Sequence, residues 1–300
     1  MLIKNFKVDR LSVKVFDSRE SMGEAAASEA ATRLRDILSR KEEVNVVFAA
    51  APSQNEFLAV LSKAEGIDWR RVSALHMDEY VGLPEDAPQG FGNFLKRAIF
   101  DKVPFKEVFY IGSQLPKEEA VARYDKILSE RHIDIVFMGI GENGHIAFND
   151  PHVADFNDPL RIKEVDLDLK CRTQQVHDGC FSALEDVPEY ALTLTCPVLF
   201  GADHLFCVVP AKTKAEAARA MLQGPIAEAC PASILRRHES ATLYLDRDSG
   251  SLIMELITNE YDNQKRFHQE DGTGFCGPWY WPGSQSRGGQ PEKEEERRTR

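Results

Sequence analysis

The chain has 300 residues, of which 43% are hydrophobic and 28% are charged, a balance typical of a folded globular protein. No apolar run approaches the roughly 18 residues of a membrane-spanning helix, and the N-terminus lacks the apolar core of a secretory signal. The formal net charge is −11. Without a long basic stripe, this charge argues against a nucleic-acid partner but allows a small anionic substrate in a local positive pocket.

The cysteines and the C-terminal composition bear on compartment and domain organisation. None of the six cysteines forms a Cys-x-x-Cys pair, which argues against a zinc ribbon and a disulfide scaffold and indicates a cytoplasmic protein. From about Lys265 onward the sequence is rich in glycine, proline and charge. We therefore predict one α/β domain over residues 1–264 and a disordered tail over residues 265–300.

Apolar, strand-like runs alternate with helix-like stretches before the tail. The strand-like runs cover residues 44–48, 71–77, 107–112, 133–141, 190–195, 204–209 and 241–246. Apolar residues at helical spacing occupy residues 24–40, 117–132 and 213–224. Because continuous β-branched and aromatic runs are typical of strands buried on both faces, the alternation predicts parallel βαβ units in an α/β fold.

The first polar strand end follows residues 44–48. In open parallel sheets, ligands bind beyond the carboxyl ends of the strands. Ser53-x-x-Glu56 matches a capping box that opens a helix, and the small residues at 49–51 would let a ligand approach the backbone. Because the glycines of a typical phosphate loop are absent, helix capping is the more ordinary interpretation of this motif.

The second polar strand end carries an acidic pair, Asp78 and Glu79, directly after the run at 71–77. A carboxylate at this position suits proton transfer or metal binding. The alternative is a turn in which an acidic side chain caps a helix. Position alone favours neither interpretation.

The third polar strand end, residues 138–150, places several polar groups in a glycine-containing loop. A G-x-G-x-x-G pattern starts at Gly139, but no helix with an acidic residue about 20 positions further on supports a dinucleotide site. His145 lies within five residues of Asn143 and Asp150, and a histidine held by such partners can shuttle protons. The histidines show no metal-ligand spacing, so we predict neither a metal nor another cofactor.

Two motifs of the chain resemble motifs of a known family. HMDEYVGL at 76–83 and GIGENGHIAFNDP at 139–151 are similar to motifs of the glucosamine-6-phosphate deaminase/isomerase family, in the same order and at similar separation. The resemblance extends over roughly residues 15–250. It implies a Rossmann-like three-layer α/β sandwich with a mostly parallel central sheet. The implied reaction, in amino-sugar and carbohydrate metabolism, converts glucosamine 6-phosphate and water into fructose 6-phosphate and ammonia without a cofactor.

The resemblance implies four catalytic residues. Asp78 matches the family's proton-transferring carboxylate, and His145 matches its ring-opening histidine. Asn143 stands where members carry Asp or Asn, and Asp150 stands where the longer Glu is common. Neutral imidazole can accept and donate a proton near pH 7, and a carboxylate can move the C2 proton to C1, so these residue types suit the reaction.

The resemblance also implies a site for the sugar phosphate. Ser53 lies in the loop that cradles the phosphate, and Lys214 aligns with a phosphate-contacting lysine. Arg172 is the candidate for a phosphate-contacting arginine, although Gln174 falls closer to that position. We expect a small-molecule sugar phosphate as the partner, and we leave open whether the chain forms a homo-oligomer.

Three alternatives stay open. The chain could be a sugar-phosphate hydrolase of the 6-phosphogluconolactonase type, a deaminase for galactosamine 6-phosphate, or a non-enzymatic sensor of sugar phosphates. Lactonases typically continue GHTASLFP, whereas residues 144–151 read GHIAFNDP, which favours the deaminase. The presence of both Asp78 and His145 argues against a sensor.

Overall fold

The structure is a computed structural model that describes residues 1–253. The predicted tail over residues 265–300, and the domain boundary at residue 264, lie outside the described residues. Within residues 1–253, none of the helices combines the length and the apolar character that crossing a membrane requires.

The described residues form eleven strands and seven α-helices. The strands are β1 (Leu2–Val8), β2 (Leu11–Phe16), β3 (Val44–Phe48), β4 (Val72–His76), β5 (Asp78–Tyr80), β6 (Glu107–Phe109), β7 (Ile135–Met138), β8 (Ile162–Asp166), β9 (Tyr190–Leu194), β10 (His204–Val209) and β11 (Ala241–Leu245). The helices are α1 (Arg19–Leu38), α2 (Asn55–Leu61), α3 (Phe91–Leu95), α4 (Lys117–Ser129), α5 (Leu169–His177), α6 (Cys196–Phe200) and α7 (Ala215–Gln223).

Eight strands form the central sheet, in the order β1-β2-β11-β10-β7-β3-β4-β6. Every neighbouring pair is parallel except the β1–β2 hairpin, which is antiparallel. The prediction of an α/β fold with a mostly parallel central sheet is therefore confirmed. The N-terminal hairpin was not predicted, because charged residues interrupt its apolar positions.

Alternate side chains of the central strands enter two separate cores. In β7, Ile135 and Phe137 pack with residues of α1 and α2. Val136 and Met138 pack on the other side with residues of α4 and α7. Because successive side chains of a strand point to opposite faces, helices cover both faces of the sheet and the domain has three layers.

The strand predicted at residues 190–195 does not belong to the parallel sheet. It forms β9, the middle strand of a separate antiparallel sheet with the order β5-β9-β8. Ala191 enters one core while Leu192 and Leu194 enter the other. A strand buried on both faces has a continuous apolar sequence whichever direction its neighbours run, so the sequence did not reveal the pairing.

The chain passes between the two sheets at Met77. This residue separates β4, in the central sheet, from β5, in the antiparallel sheet. Asp78 therefore lies at the junction of the two sheets, beyond the carboxyl end of β4. This is the edge at which a parallel sheet binds its ligands.

His76 holds this junction in place through hydrogen bonds at both ring nitrogens, an arrangement called the His76 lock below. Nδ1 lies 2.8 Å from the Asp78 carbonyl oxygen, and Nε2 accepts a hydrogen bond from the Ile111 backbone at 2.9 Å. Because Nε2 accepts, the ring is neutral and carries its proton on Nδ1. Burial lowers the pKa of His76 to about 4, although the hydrogen bond to Asp78 acts in the opposite direction.

We expect His76 to make the fold sensitive to acid. The unfolded imidazole binds a proton near pH 6.5, whereas the folded one binds it near pH 4. The contribution of the neutral His76 ring to the free energy of unfolding is therefore complete above the pKa of the unfolded state. It decreases as the pH falls toward the pKa of the folded state. Between pH 7 and pH 5 the protein should lose about 2 kcal/mol of unfolding free energy through this residue.

Urea unfolding of the wild type and of His76→Gln at the two pH values tests this expectation. The glutamine amide is neutral at both pH values. The variant therefore measures the pH dependence that arises from all other titrating groups and serves as the reference for the wild type. The wild type should lose about 2 kcal/mol more than the variant on acidification. Equal losses in the two proteins would contradict the assignment.

Candidate active site

A pocket lies where four neighbouring strands of the central sheet end. These strands are β10, β7, β3 and β4. The lining includes residues 49–53 after β3, residues 77–78 after β4, residues 139–141 after β7 and residues 210–211 and 213–214 after β10. The carboxyl ends of these parallel strands thus bring the three polar loops of the sequence to one site.

His145 is held by hydrogen bonds within its own loop. Its Nδ1 lies 2.7 Å from Oδ1 of Asp150, and its backbone N–H donates to Oδ1 of Asn143 at 3.0 Å. The Asn143 amide donates in turn to Asp150 at 2.8 Å. The structure therefore brings these three residues together, and the aspartate side chain is long enough to reach the ring.

The Asp150 carboxylate is a buried charge with strong compensation. Burial acts to raise its pKa, but hydrogen bonds and charge from His145, together with a hydrogen bond from Asn143, hold the pKa below its ordinary value. The carboxylate engages Nδ1 of His145 and leaves Nε2 outside this hydrogen bond. Because His145 lines the pocket, it can act there as a base.

The acidic pair after β4 is divided between two roles. Glu79 caps α3, because its carboxylate accepts the backbone N–H groups of Phe91 at 3.0 Å and of Gly92 at 2.9 Å. Asp78 lines the pocket instead. Burial and the nearby charge of Glu79 raise the pKa of Asp78 well above its usual range, and a raised pKa makes the ionised carboxylate a stronger base.

The capping box predicted at Ser53 and Glu56 is wrong. Pro52–Gln54 form a short 3-10 turn, and α2 begins behind it without a side-chain capping bond. Ser53 lines the pocket, and Glu56 forms an ion pair with Arg19, whose Nε lies 2.7 Å from Oε2. The ion pair replaces a cap that is typically worth about 1 kcal/mol.

Lys214 is a buried cation that faces the pocket. Its relative exposure is 5%, and its Nζ has no hydrogen-bond partner within residues 1–253. Burial lowers its pKa. A short 3-10 turn, Lys212–Lys214, carries the side chain after Ala211 adopts a left-handed φ of 83°. Because burying an unpaired ammonium costs free energy, this environment suits an anionic ligand.

The structure does not bring Arg172 into the pocket. Its Nη2 donates to the carbonyl oxygens of Leu184 and Val187 at 3.0 and 2.9 Å, so the guanidinium ties α5 to the segment that follows it. Gln174 and Gln175 line the pocket instead. Amide side chains therefore occupy the wall for which the sequence suggested an arginine.

Arg19 lines the pocket, and sequence reasoning missed it. It is the first residue of α1, directly after the N-cap Ser18, where a charged residue is unremarkable. The helix was predicted to begin only at residue 24. Because the contact of Arg19 with Glu56 joins α1 to α2, no local pattern could reveal it.

Cys171 lies beside the histidine and the carboxylate. Its sulfur, a ring nitrogen of His145 and an oxygen of Asp150 lie within 4.8 Å of one another, and all three residues are buried. These atom types can bind a transition metal. However, the 2.7 Å hydrogen bond between Nδ1 of His145 and Asp150 already accounts for the proximity of these two residues. The cofactor-free reaction therefore stays a prediction.

The pocket combines an imidazole, a buried carboxylate and an ammonium that has no hydrogen-bond partner within residues 1–253, all at one edge of a parallel sheet. An imidazole and a carboxylate can move protons on a bound molecule, and the ammonium attracts an anionic one. Fold and site together define an α/β enzyme that acts on a small anionic substrate.

Comparisons with known proteins agree with this class. The family model described as "Glucosamine-6-phosphate isomerases/6-phosphogluconolactonase" matches residues 17–244. The glucosamine-6-phosphate deaminase of Bacillus thuringiensis (strain Al Hakam) is 33% identical over 252 residues, which are 84% of this chain and 92% of that protein. The glucosamine-6-phosphate deaminase of Bacillus anthracis (strain CDC 684 / NRRL 3495) matches with the same identity and coverage.

Solved structures give the same picture. A monomeric glucosamine-6-phosphate deaminase of the NagB superfamily is 26% identical with a TM-score of 0.72, covering 80% of this chain and 99% of that chain. The 6-phosphogluconolactonase of Thermotoga maritima is 20% identical with a TM-score of 0.64, covering 78% of this chain and 98% of that one, and shares the fold. The chain belongs to the glucosamine-6-phosphate isomerase/6-phosphogluconolactonase family.

We expect Gly141 to be essential for the position of His145. Its backbone N–H donates to the His145 carbonyl at 2.9 Å. A β-carbon at residue 141 would lie 2.3 Å from Cε1 and Nε2 of the imidazole, so Gly141→Ala must displace the ring. If His145 is a general acid–base catalyst, kcat should fall about 10²-fold or more. Steady-state kinetics measure the loss, and thermal unfolding confirms that the variant is folded. A folded variant with wild-type kcat would refute this role.

Proposed function

We propose that this protein is a glucosamine-6-phosphate deaminase, which converts glucosamine 6-phosphate and water into fructose 6-phosphate and ammonia. One observation carries the proposal: Asp78 and His145 line the same pocket as the unpaired ammonium of Lys214. The membership of the family and the 33% identity to bacterial glucosamine-6-phosphate deaminases support it.

His145 opens the sugar ring in this proposal. Its Nε2 accepts the proton of the O1 hydroxyl and delivers a proton to O5, so the bond between C1 and O5 breaks and C1 becomes an aldehyde. The ionised Asp150 stabilises the transient imidazolium through Nδ1, to which it is hydrogen-bonded at 2.7 Å. Asn143 fixes the carboxylate and the loop backbone in this arrangement.

Asp78 then moves a proton between adjacent carbons. The carboxylate takes the proton from C2 while O1 gains a proton, which gives an enolamine. Asp78 then returns the proton to C1 and the C2 amino group loses one, which leaves an imine at C2. Addition of water to C2 and departure of ammonia complete the ketose. The raised pKa of Asp78 suits this step, because the carboxylate must accept a proton from carbon.

Ser53 and Lys214 hold the 6-phosphate in this proposal. They come from the loops after β3 and β10, two strands that both neighbour β7 in the sheet. A phosphate gives the Lys214 ammonium the partner that it lacks among the described residues. This contact anchors the substrate at the end remote from the reacting carbons.

We place the reaction in the catabolism of N-acetylglucosamine, as a hydrolytic deamination in the cytoplasm. The five cysteines within residues 1–253 are free thiols. Free thiols are compatible with a reducing compartment.

Ammonia release from glucosamine 6-phosphate tests the activity directly. We expect the wild type to release ammonia and fructose 6-phosphate in equal amounts. Galactosamine 6-phosphate and 6-phosphogluconolactone are assayed in parallel. Faster turnover of the galacto substrate would change the assignment of the sugar, and lactone hydrolysis without ammonia release would replace the proposed reaction.

Two variants should separate the two proton-transfer steps. His145→Gln should lose about 10²–10⁴-fold activity on the cyclic substrate but retain much of it on substrate supplied as the open chain. Asp78→Asn should be inactive on both forms, because enolisation follows ring opening.

Solvent deuterium incorporated at C1 of the product measures the carbon proton transfer in each case. Asp86→Asn, at an exposed position, is the matched control and should behave as the wild type. Equal loss for both active-site variants on the open chain would show that His145 also serves the carbon step.

A further inference from the structure

Arg19 is a cation in the lining of the pocket and takes no part in the proposed proton transfers. It begins α1, and its side chain is about one-third exposed, at 31%. The Nη2 group donates to the Pro52 carbonyl oxygen, and Nε lies 2.7 Å from Oε2 of Glu56. Within residues 1–253 we find no hydrogen bond that engages Nη1. The guanidinium is thus fixed on one side and free on the other.

The pocket lining contains a second cation besides Lys214. A phosphate monoester such as a sugar phosphate carries a charge of about −1.5 to −2 at pH 7, as a phosphorylated side chain does. Besides His145, the basic residues that line the pocket are Arg19 and Lys214, whereas Asp78 and Asp178 are acidic. Arg172 is occupied elsewhere by the carbonyl oxygens of Leu184 and Val187.

Hydrogen bonds connect Arg19 with the loop that carries Ser53, and that loop with the end of β10. The carbonyl that Arg19 binds belongs to Pro52, the residue directly before Ser53. The neighbouring Gln54 donates to the Val208 carbonyl at 3.2 Å, which ties this loop to the end of β10. The chain reaches Lys214 soon after β10 ends, so these loops converge.

Close packing of α1 on α2 sets the position of the Arg19–Glu56 pair. A β-carbon at Gly23 would lie 2.7 Å from Cβ of Glu56. Only a glycine therefore permits this approach of the two helices. The approach places Glu56 beside Arg19, where the carboxylate restricts a side chain that otherwise has many rotamers.

We propose that Arg19 binds the phosphate group of the substrate together with Lys214, and that Glu56 positions its guanidinium. This inference rests on the proposed function, because it names the residue that recognises the phosphorylated substrate. A guanidinium presents paired N–H donors that match phosphate oxygens, whereas Lys214 contributes a point charge. Arg19 takes the role that the sequence suggested for Arg172.

The test compares Arg19→Gln with Arg33→Gln. Arg33 lies on the same helix, pairs with Asp36 and does not line the pocket. Calorimetry measures the Kd of inorganic phosphate, and steady-state kinetics measure KM and kcat with glucosamine 6-phosphate. A charged hydrogen bond is worth about tenfold to a hundredfold in affinity. Arg19→Gln should raise both Kd and KM by such a factor with little change in kcat, and Arg33→Gln should change neither.

Glu56→Gln tests the positioning role. Arg19 keeps its charge in this variant but loses its ionic partner, so we expect a rise in KM of a fewfold, smaller than that of Arg19→Gln, at unchanged kcat. Thermal unfolding checks that each variant is folded, and Arg19→Lys serves as a second variant that keeps the charge. Arg19→Lys should recover part of the lost phosphate affinity.

The two proposals fail in different ways. If the wild type releases no ammonia but Arg19→Gln weakens the binding of inorganic phosphate, the proposed function is wrong and the role of Arg19 stands. If the wild type is a deaminase and a folded Arg19→Gln binds phosphate as tightly as the wild type, the role of Arg19 is wrong. A rise in KM equal for Arg19→Gln and Arg33→Gln would also overturn it.

Discussion

The Asp150 carboxylate is the group on which the loop that carries His145 depends. It is completely buried, yet it accepts hydrogen bonds from His145, Asn143 and the backbone of Asp168. These donors come from the loop after β7 and from the start of α5, so one charge joins two segments that are separate in sequence. Removing a single donor would leave a buried charge undercompensated. The geometry of the loop and the hydrogen bond to Nδ1 of His145 therefore both follow from the need to compensate the buried charge of Asp150.

The parallel sheet explains why unrelated sequence motifs act together. The loops after β3, β4, β7 and β10 are far apart in the chain, but the shared strand direction brings them to one edge. The antiparallel sheet adds a constraint that a plain parallel sheet lacks. It takes up the chain directly after β4, so Asp78 is held by β-pairing on one side and by the His76 lock on the other. The Asp78 carboxylate gains a fixed position in the pocket from this double attachment.

The sequence predicts those features that local pattern determines. Strands β3, β10 and β11 lie where apolar runs place them, and the short separations of Asn143, His145 and Asp150 already suggest one cluster. The features that escape prediction depend on distant partners. Residues 190–195 form a strand as predicted, but the sequence does not show that its neighbours are antiparallel. Arg172 lies near the position expected for a phosphate-contacting arginine. Only the structure reveals that its guanidinium donates to the carbonyl oxygens of Leu184 and Val187.

The failed capping box shows how tertiary charge overrides a local signal. Ser53 and Glu56 have the spacing of a cap worth about 1 kcal/mol, yet α2 begins without one. Glu56 instead pairs with Arg19, which the close approach of α1 brings within reach. The helix loses a cap, and the pocket gains an oriented guanidinium and a serine hydroxyl, which accepts a hydrogen bond from the Gln54 amide at 3.1 Å. Lys214 follows the same principle, because its buried ammonium is unfavourable in the free protein and becomes favourable when an anion binds. Glu56 and Lys214 thus both occupy arrangements that local stability alone does not explain and that suit an anionic ligand.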